Sequence, residues 1–252
     1  SVFMFEEPPI SGTRGSGAIF FSGCSLKCVF CQNYEISHSG HGTKVSPLGL
    51  VEIMKELESK GVHNINLVSP THFADEIIEA LKIYKPNVPV VWNTHGYEKV
   101  ETIQKLLPYV DIFLTDFKYF RPETAKKYSN CPDYIENAKA ALNEMVKNKP
   151  LEFDGEMLKQ GVIVRHLILP LHTQESKQVL DYLKQNYDKQ ILVSVMSQFT
   201  PFGECDRFPE INRKLTSREM KSVNNHFLEL DLDGFIQNSK SADTCFIPNW
   251  NK

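Results

Sequence analysis

Short, nearly continuous apolar runs rich in β-branched and aromatic residues alternate with longer amphipathic stretches along the whole of this chain. Runs of that kind suit strands covered on both faces, and strands alternating with helices build a parallel sheet through right-handed crossovers. Predicted strands lie at 18–22, 64–68, 90–94, 112–117, 162–169 and 191–196. Predicted helices lie at 47–60, 73–84, 100–107, 132–148, 173–186 and 217–230, several of them opened by Pro or a capping residue. Six such units define an α/β chain, a parallel sheet with outer helices that curls into a partial (β/α)6 barrel. In folds of this type ligands sit on the loops at the carboxyl ends of the strands. With 252 residues, 41% of them apolar, one core suffices, so 1–252 reads as a single domain with 1–17 as an N-terminal extension. Stretches 149–160 and 202–213 read as connections, and the Gly-rich stretches 11–17 and 37–42 as loops.

A net charge near −3 supplies no broad electrostatic reason to expect nucleic acid. No long apolar run suggests membrane insertion, and SVFMFEEPPI is not a secretion signal. The chain opens on Ser1, which suggests that an upstream segment has been removed. Six cysteines are too few for a disulfide scaffold, and three fall within eight positions, which favours a metal site in a reducing compartment, the cytoplasm.

Those three stand in GCSLKCVFCQN, where Cys24, Cys28 and Cys31 form a CxxxCxxC spacing directly after the first predicted strand, in a loop spanning 23–46. Three thiolates can hold three irons of a cubane and leave the fourth iron for an outside ligand. A structural zinc site commonly wants four closed ligands in paired CxxC units, and a ferredoxin wants four cysteines per cluster. Zinc, another cluster role and unliganded thiols are the alternatives. Cys131, Cys205 and Cys245 are scattered and read as small apolar fillers.

The spacing, the aromatic Phe30 before the last cysteine and the position after a first strand resemble the radical S-adenosylmethionine superfamily, and a barrel of the radical SAM type is expected. EEPPISGTRGSGAIFFSGCSLKCVFCQN, NLVSPTHF, WNTHGY, TDFKYF with AKKYS, PDY, VRHLILP, MSQFTP and EINRKLT together resemble an uncharacterised branch of pyruvate formate-lyase activating enzyme homologues. The resemblance implies a [4Fe–4S] cluster on Cys24, Cys28 and Cys31, and S-adenosylmethionine on its open iron. It also implies reductive cleavage to a 5′-deoxyadenosyl radical that abstracts hydrogen, with a protein glycine as the activating-enzyme substrate. The alternatives are radical modification of a peptide or small molecule, and a non-catalytic iron–sulfur or zinc protein. An electron donor such as flavodoxin or ferredoxin is the implied partner. Members of the branch often carry a cysteine-containing segment upstream of EEPPISG, so this chain is a short form or lacks that piece.

Carried over by position, the backbone around Phe30 to Gln32 is expected at the adenine, and Asp116 with Lys118 forms the D-x-K pattern that helps hold the cofactor. The alternative for that pair is a surface ion pair. Ser69, Thr71 and His72 stand where the superfamily often has a GGE-type motif; they are candidates for the amino group, with helix capping the rival role of Ser69 and Thr71. Asn93, Thr94, His95, Arg165, His166, Ser197 and Gln198 follow at other strand ends. Arg165 suits a carboxylate of cofactor or substrate by bidentate pairing, or a structural acid such as Asp116. Arg14, His38 and His41 lie on flanking loops, where structural or solvated roles are favoured.

Overall fold

The computed structural model describes residues 1–237, and Cys245 lies outside the described residues. The strands are β1 (Val2–Phe3), β2 (Ser16–Phe20), β3 (Ile65–Val68), β4 (Val90–Thr94), β5 (Ile112–Asp116), β6 (Glu152–Asp154), β7 (Met157–Leu167), β8 (Leu192–Met196) and β9 (Gly234–Gln237). The α-helices are α1 (Pro8–Ser11), α2 (Tyr34–Ser39), α3 (Pro47–Ser59), α4 (Ala74–Ile83), α5 (Val100–Leu106), α6 (Pro122–Ser129), α7 (Tyr134–Asn148), α8 (Thr173–Asn186) and α9 (Ser217–Glu229). The sheet runs β1-β2-β3-β4-β5-β7-β8-β9, parallel from β2 onward, with β1 antiparallel on the β2 edge and β6 antiparallel on β7. It curls into a half-barrel of the radical SAM type.

Each strand sends alternate residues to the helices and to the barrel interior. Trp92, Phe113, Val162, Val164, Val193 and Val195 pack outward into the large core shared with the helices. Val91, Ile112, Leu114, Ile163 and Leu192 face inward and form a second, smaller cluster. The same inward alternation carries Asn66, Asn93, Asp116, Arg165 and Ser194, in register with Val91, Leu114, Arg165, Asp116 and Arg165 of the neighbouring strands. The interior is therefore apolar below and polar toward the strands' carboxyl ends. Local signals set the helix starts: the Ser46 hydroxyl accepts from the Gly49 N–H ahead of α3, and Thr216 and Glu219 form a capping box at α9.

The six βα units stand as read from the sequence, and β4 and α8 match residue for residue. Four expectations are corrected. The first strand lies two residues earlier than 18–22, because the β2 ladder closes at Phe20 and Phe21 and the chain then turns into the cysteine loop. The stretch read as a loop at 23–46 contains α2, which takes in part of the Gly-rich stretch 37–42. The stretch read as a connection at 149–160 is the β6–β7 hairpin, so β7 begins at Met157 rather than 162. Helix α6 and strands β1 and β9 were unforeseen, being short or bearing too few apolar residues to show a period.

The segment after β1 leaves the sheet edge and enters the barrel. Ile10 joins the inward apolar cluster, its carbonyl accepting from Asn64 Nδ2 at 2.6 Å. Glu6 accepts from Asn66 Nδ2 at 3.0 Å. Among the described residues no helix is long and apolar enough to cross a membrane.

Candidate active site

The chain leaves β2 through Gly23, whose φ of +85° suits glycine and whose approach to His72 would put a Cβ 3.1 Å from the ring. The His72 Nε2–H donates to the Ser22 carbonyl at 2.7 Å, tying the start of the loop to the end of β3. Further on, the Val29 N–H donates to the Tyr128 carbonyl at 2.9 Å, and the Val29 carbonyl accepts from the Glu204 N–H at 2.7 Å. The Phe30 ring is buried edge-to-face against Tyr119, Tyr128 and Phe199, with centroids 6.0–6.4 Å apart. Its side chain thus anchors the loop and leaves the backbone from Phe30 to Gln32 as what the loop can offer a ligand.

Cys28 is buried, and Cys24 and Cys31 are half-buried. Burial pushes the Cys24 thiol up to about 12, with Cys28 and Cys31 adding to the rise and Lys118 opposing it. Burial raises Cys28 as well, against Lys118 and a hydroxyl donated by Ser129 at 2.9 Å. Ser37 stands 3.3 Å from the Cys31 sulfur. Cys24 and Cys28, reluctant to ionise alone, give up their protons to a metal, and the Ser129 hydroxyl aimed at Cys28 suits a thiolate ligand. Among the described residues no three His, Cys, Asp or Glu side chains are placed to hold one metal ion. A cubane takes each thiolate on a different iron and needs no such convergence. The three thiols fit that group. Cys131, beside Asp133, and Cys205 are both buried.

At the end of β5, Asp116 accepts from Lys118 Nζ on one oxygen and from Arg165 Nε at 3.0 Å on the other. The Asp116–Lys118 pair is no surface bridge: the side chains are 12% and 17% exposed. Burial works to raise Asp116, but Lys118 and Arg165 overcome it and hold the carboxylate below its ordinary range. Arg165 also donates to Asn93 Oδ1 at 2.6 Å and stands 3.6 Å from Glu6. Its guanidinium is thus occupied by protein acceptors, while Lys118 keeps donors to spare.

Tyr134, on α7, buttresses this corner. Its hydroxyl faces the carbonyls of His95 and Asp116 at 2.9 and 3.1 Å and accepts from the Lys118 N–H at 3.0 Å. Gly96 makes the approach possible, since a Cβ there would lie 2.0 Å from the Asp116 carbonyl at a φ of +81°. Burial and then Lys118 depress His95 to about 3, so the ring is neutral. Its Nδ1 accepts from the Tyr97 N–H at 3.1 Å, which leaves the Nε2–H to donate to Ser25 Oγ at 2.7 Å inside the cysteine loop.

Ser69 holds a left-handed φ of 54°, a strained setting for a non-glycine residue at the end of β3. The Thr71 and Thr94 hydroxyls both donate to the buried carboxylate of Glu98, as does Trp92 Nε1. Burial raises Glu98 despite these three donors. Gln198 contacts the Met196 sulfur at 3.8 Å, and the Ser197 hydroxyl is buried without a protein partner. His166 lies on the helix-facing side with Val164, its Nδ1–H on the Phe117 carbonyl at 2.7 Å. Arg14 bonds His63 at the amino end of the barrel, His38 stacks on Tyr34, and His41 is exposed. Glu6, Glu98 and Tyr134 were given no role from the sequence; Glu6 stands inside EEPPISG, Tyr134 inside PDY, and Glu98 directly after WNTHGY.

The half-barrel thus carries three buried or half-buried thiols on its first loop and a fixed cation–carboxylate network at the end of β5. The chain belongs to the radical SAM superfamily, whose model matches residues 18–183. It is 34% identical over 218 residues to an uncharacterized protein of Methanocaldococcus jannaschii, covering 82% of this chain. The chain spans 60% of that relative's length. In fold it is similar to Streptococcus suis SuiB bound to S-adenosylmethionine, with a TM-score of 0.59 at 13% identity over 88% of this chain and 50% of that one. A radical SAM methyltransferase from Sphaerobacter thermophilus is similar at a TM-score of 0.60 and 10% identity, over 90% of this chain and 67% of that one.

Proposed function

We propose that this chain cleaves S-adenosylmethionine reductively and that the resulting 5′-deoxyadenosyl radical abstracts hydrogen from a protein glycine, in the manner of an activating enzyme. The observation that carries the radical chemistry is the CxxxCxxC thiol set, buried or half-buried on the loop leaving β2, with the Ser129 hydroxyl donating to Cys28. When bound, a [4Fe–4S] cluster on Cys24, Cys28 and Cys31 supplies one electron and an iron free of cysteine for the amino and carboxylate groups of the cofactor. Asp116, itself fixed by Arg165, holds the Lys118 ammonium in place, and the remaining N–H groups of that ammonium serve oxygens of the ligand. His95, locked neutral on Ser25, braces the loop without adding charge. The glycine substrate rests on the likeness of EEPPISG, THGY and DFK to the activating-enzyme branch. A flavodoxin or ferredoxin is the proposed reductant, and the cytoplasm the proposed setting.

The test is anaerobic reconstitution with iron and sulfide, reduction with dithionite and chromatography for 5′-deoxyadenosine. A loaded wild type should release it, and Cys28→Ala should release none. A fully loaded protein that forms no 5′-deoxyadenosine sinks the assignment.

A further inference from the structure

Two hydroxyls stand at the cysteine sulfurs, and they differ in how firmly their single protons are directed. Ser37 Oγ lies 3.3 Å from Cys31 Sγ, but also 2.8 Å from His38 Nδ1 and 3.4 Å from the Tyr34 carbonyl, so its one proton has three places to go and none is fixed on the sulfur. Ser129 ends α6 and is 3% exposed, and its hydroxyl donates to Cys28 Sγ at 2.9 Å. Its other close partner is the fully buried Tyr119 hydroxyl at 2.6 Å. A serine has one proton, so with that proton on sulfur, Tyr119 must be the donor to Ser129. The chain Tyr119 to Ser129 to Cys28 therefore runs one way, and each bond polarises the next in a site shielded from water.

We infer that Ser129, oriented by Tyr119, is a positioning residue that sets the reduction potential of the cluster through Cys28. The inference rests on the cluster reading given above. A donor to a ligating sulfur favours the reduced, more negative state, so this relay holds the potential above the value that Cys28 would otherwise confer. Its source is a residue more than one hundred positions beyond the cysteine, delivered by the turn that ends α6 at Asn130 in a left-handed conformation.

The experiment is an EPR-monitored redox titration of the reconstituted full chain, with iron content measured alongside. Ser129→Ala should shift the midpoint to more negative values at unchanged iron content. Tyr119→Phe should shift it part of the way, and Ser129→Thr should restore the wild-type value. If Ser129→Ala does not load, the decision passes to Tyr119→Phe, where an unmoved midpoint overturns the inference. Equal midpoints for wild type and loaded variants overturn it too, as does a Ser129→Thr shift as large as that of Ser129→Ala. A wild type that binds no iron overturns the cluster reading and this inference with it.

Discussion

At the residue scale, Tyr134 illustrates how a side chain remote from the cysteines shapes the mouth of the barrel. Its hydroxyl spans the ends of β4 and β5, and all three of its partners are backbone groups. Tyr134→Phe removes that oxygen while keeping the ring, leaving the Lys118 N–H unpaired and the two carbonyls without this donor. It should cost about 1–3 kcal/mol, seen in urea denaturation as a lower midpoint with an unchanged slope. The sequence sets Tyr134 in the PDY string but gives it no role, because that role depends on α7 being folded against β4 and β5. Asp116 and Lys118, by contrast, stood out through the D-x-K resemblance, and Arg165 was already weighed against Asp116 as a structural acid, yet their burial and the choice of that pairing over a ligand carboxylate could not be read.

At the scale of the element, the segment carrying Glu6 and Ile10 behaves as a plug in the interior of the barrel rather than as an appendage. The Glu6 side chain is 8% exposed, and burial, followed by the neighbouring Glu7, raises it to about 7 against the pull of Arg165 and Asn66. The folded value lies above the unfolded one, so the native state holds the proton more tightly. The stability this confers is complete below the ordinary carboxylate range and is lost as pH rises through about 7. Thermal or urea unfolding followed from pH 5 to 8 should show that decline, and Glu6→Gln should flatten it. An equally steep decline in the variant would remove Glu6 as its source. Here sequence reading reached only the label of an N-terminal extension, since a charged, proline-containing string has no period from which to foresee an inward path.

At the scale of the whole molecule, ligand binding is linked to folding. S-adenosylmethionine at a hundredfold excess over its dissociation constant should stabilise the cluster-loaded protein by about 2.7 kcal/mol, read as a rise in the unfolding midpoint. Lys118→Met should shrink that rise at the same ligand concentration while leaving Asp116 paired with Arg165. The sequence by itself determined the order of the six βα units, because continuous apolar runs and amphipathic periods are local and one-dimensional. It likewise marked the cysteine trio, whose ligand spacing is carried within eight residues. Only the tertiary structure decided that Ser129 faces Cys28, that Glu98 gathers the hydroxyls of Thr71 and Thr94, and that Glu6 meets Arg165 inside the barrel. Those contacts join residues on different elements, and the curl of the sheet, which no local pattern encodes, brings their side chains within bonding distance.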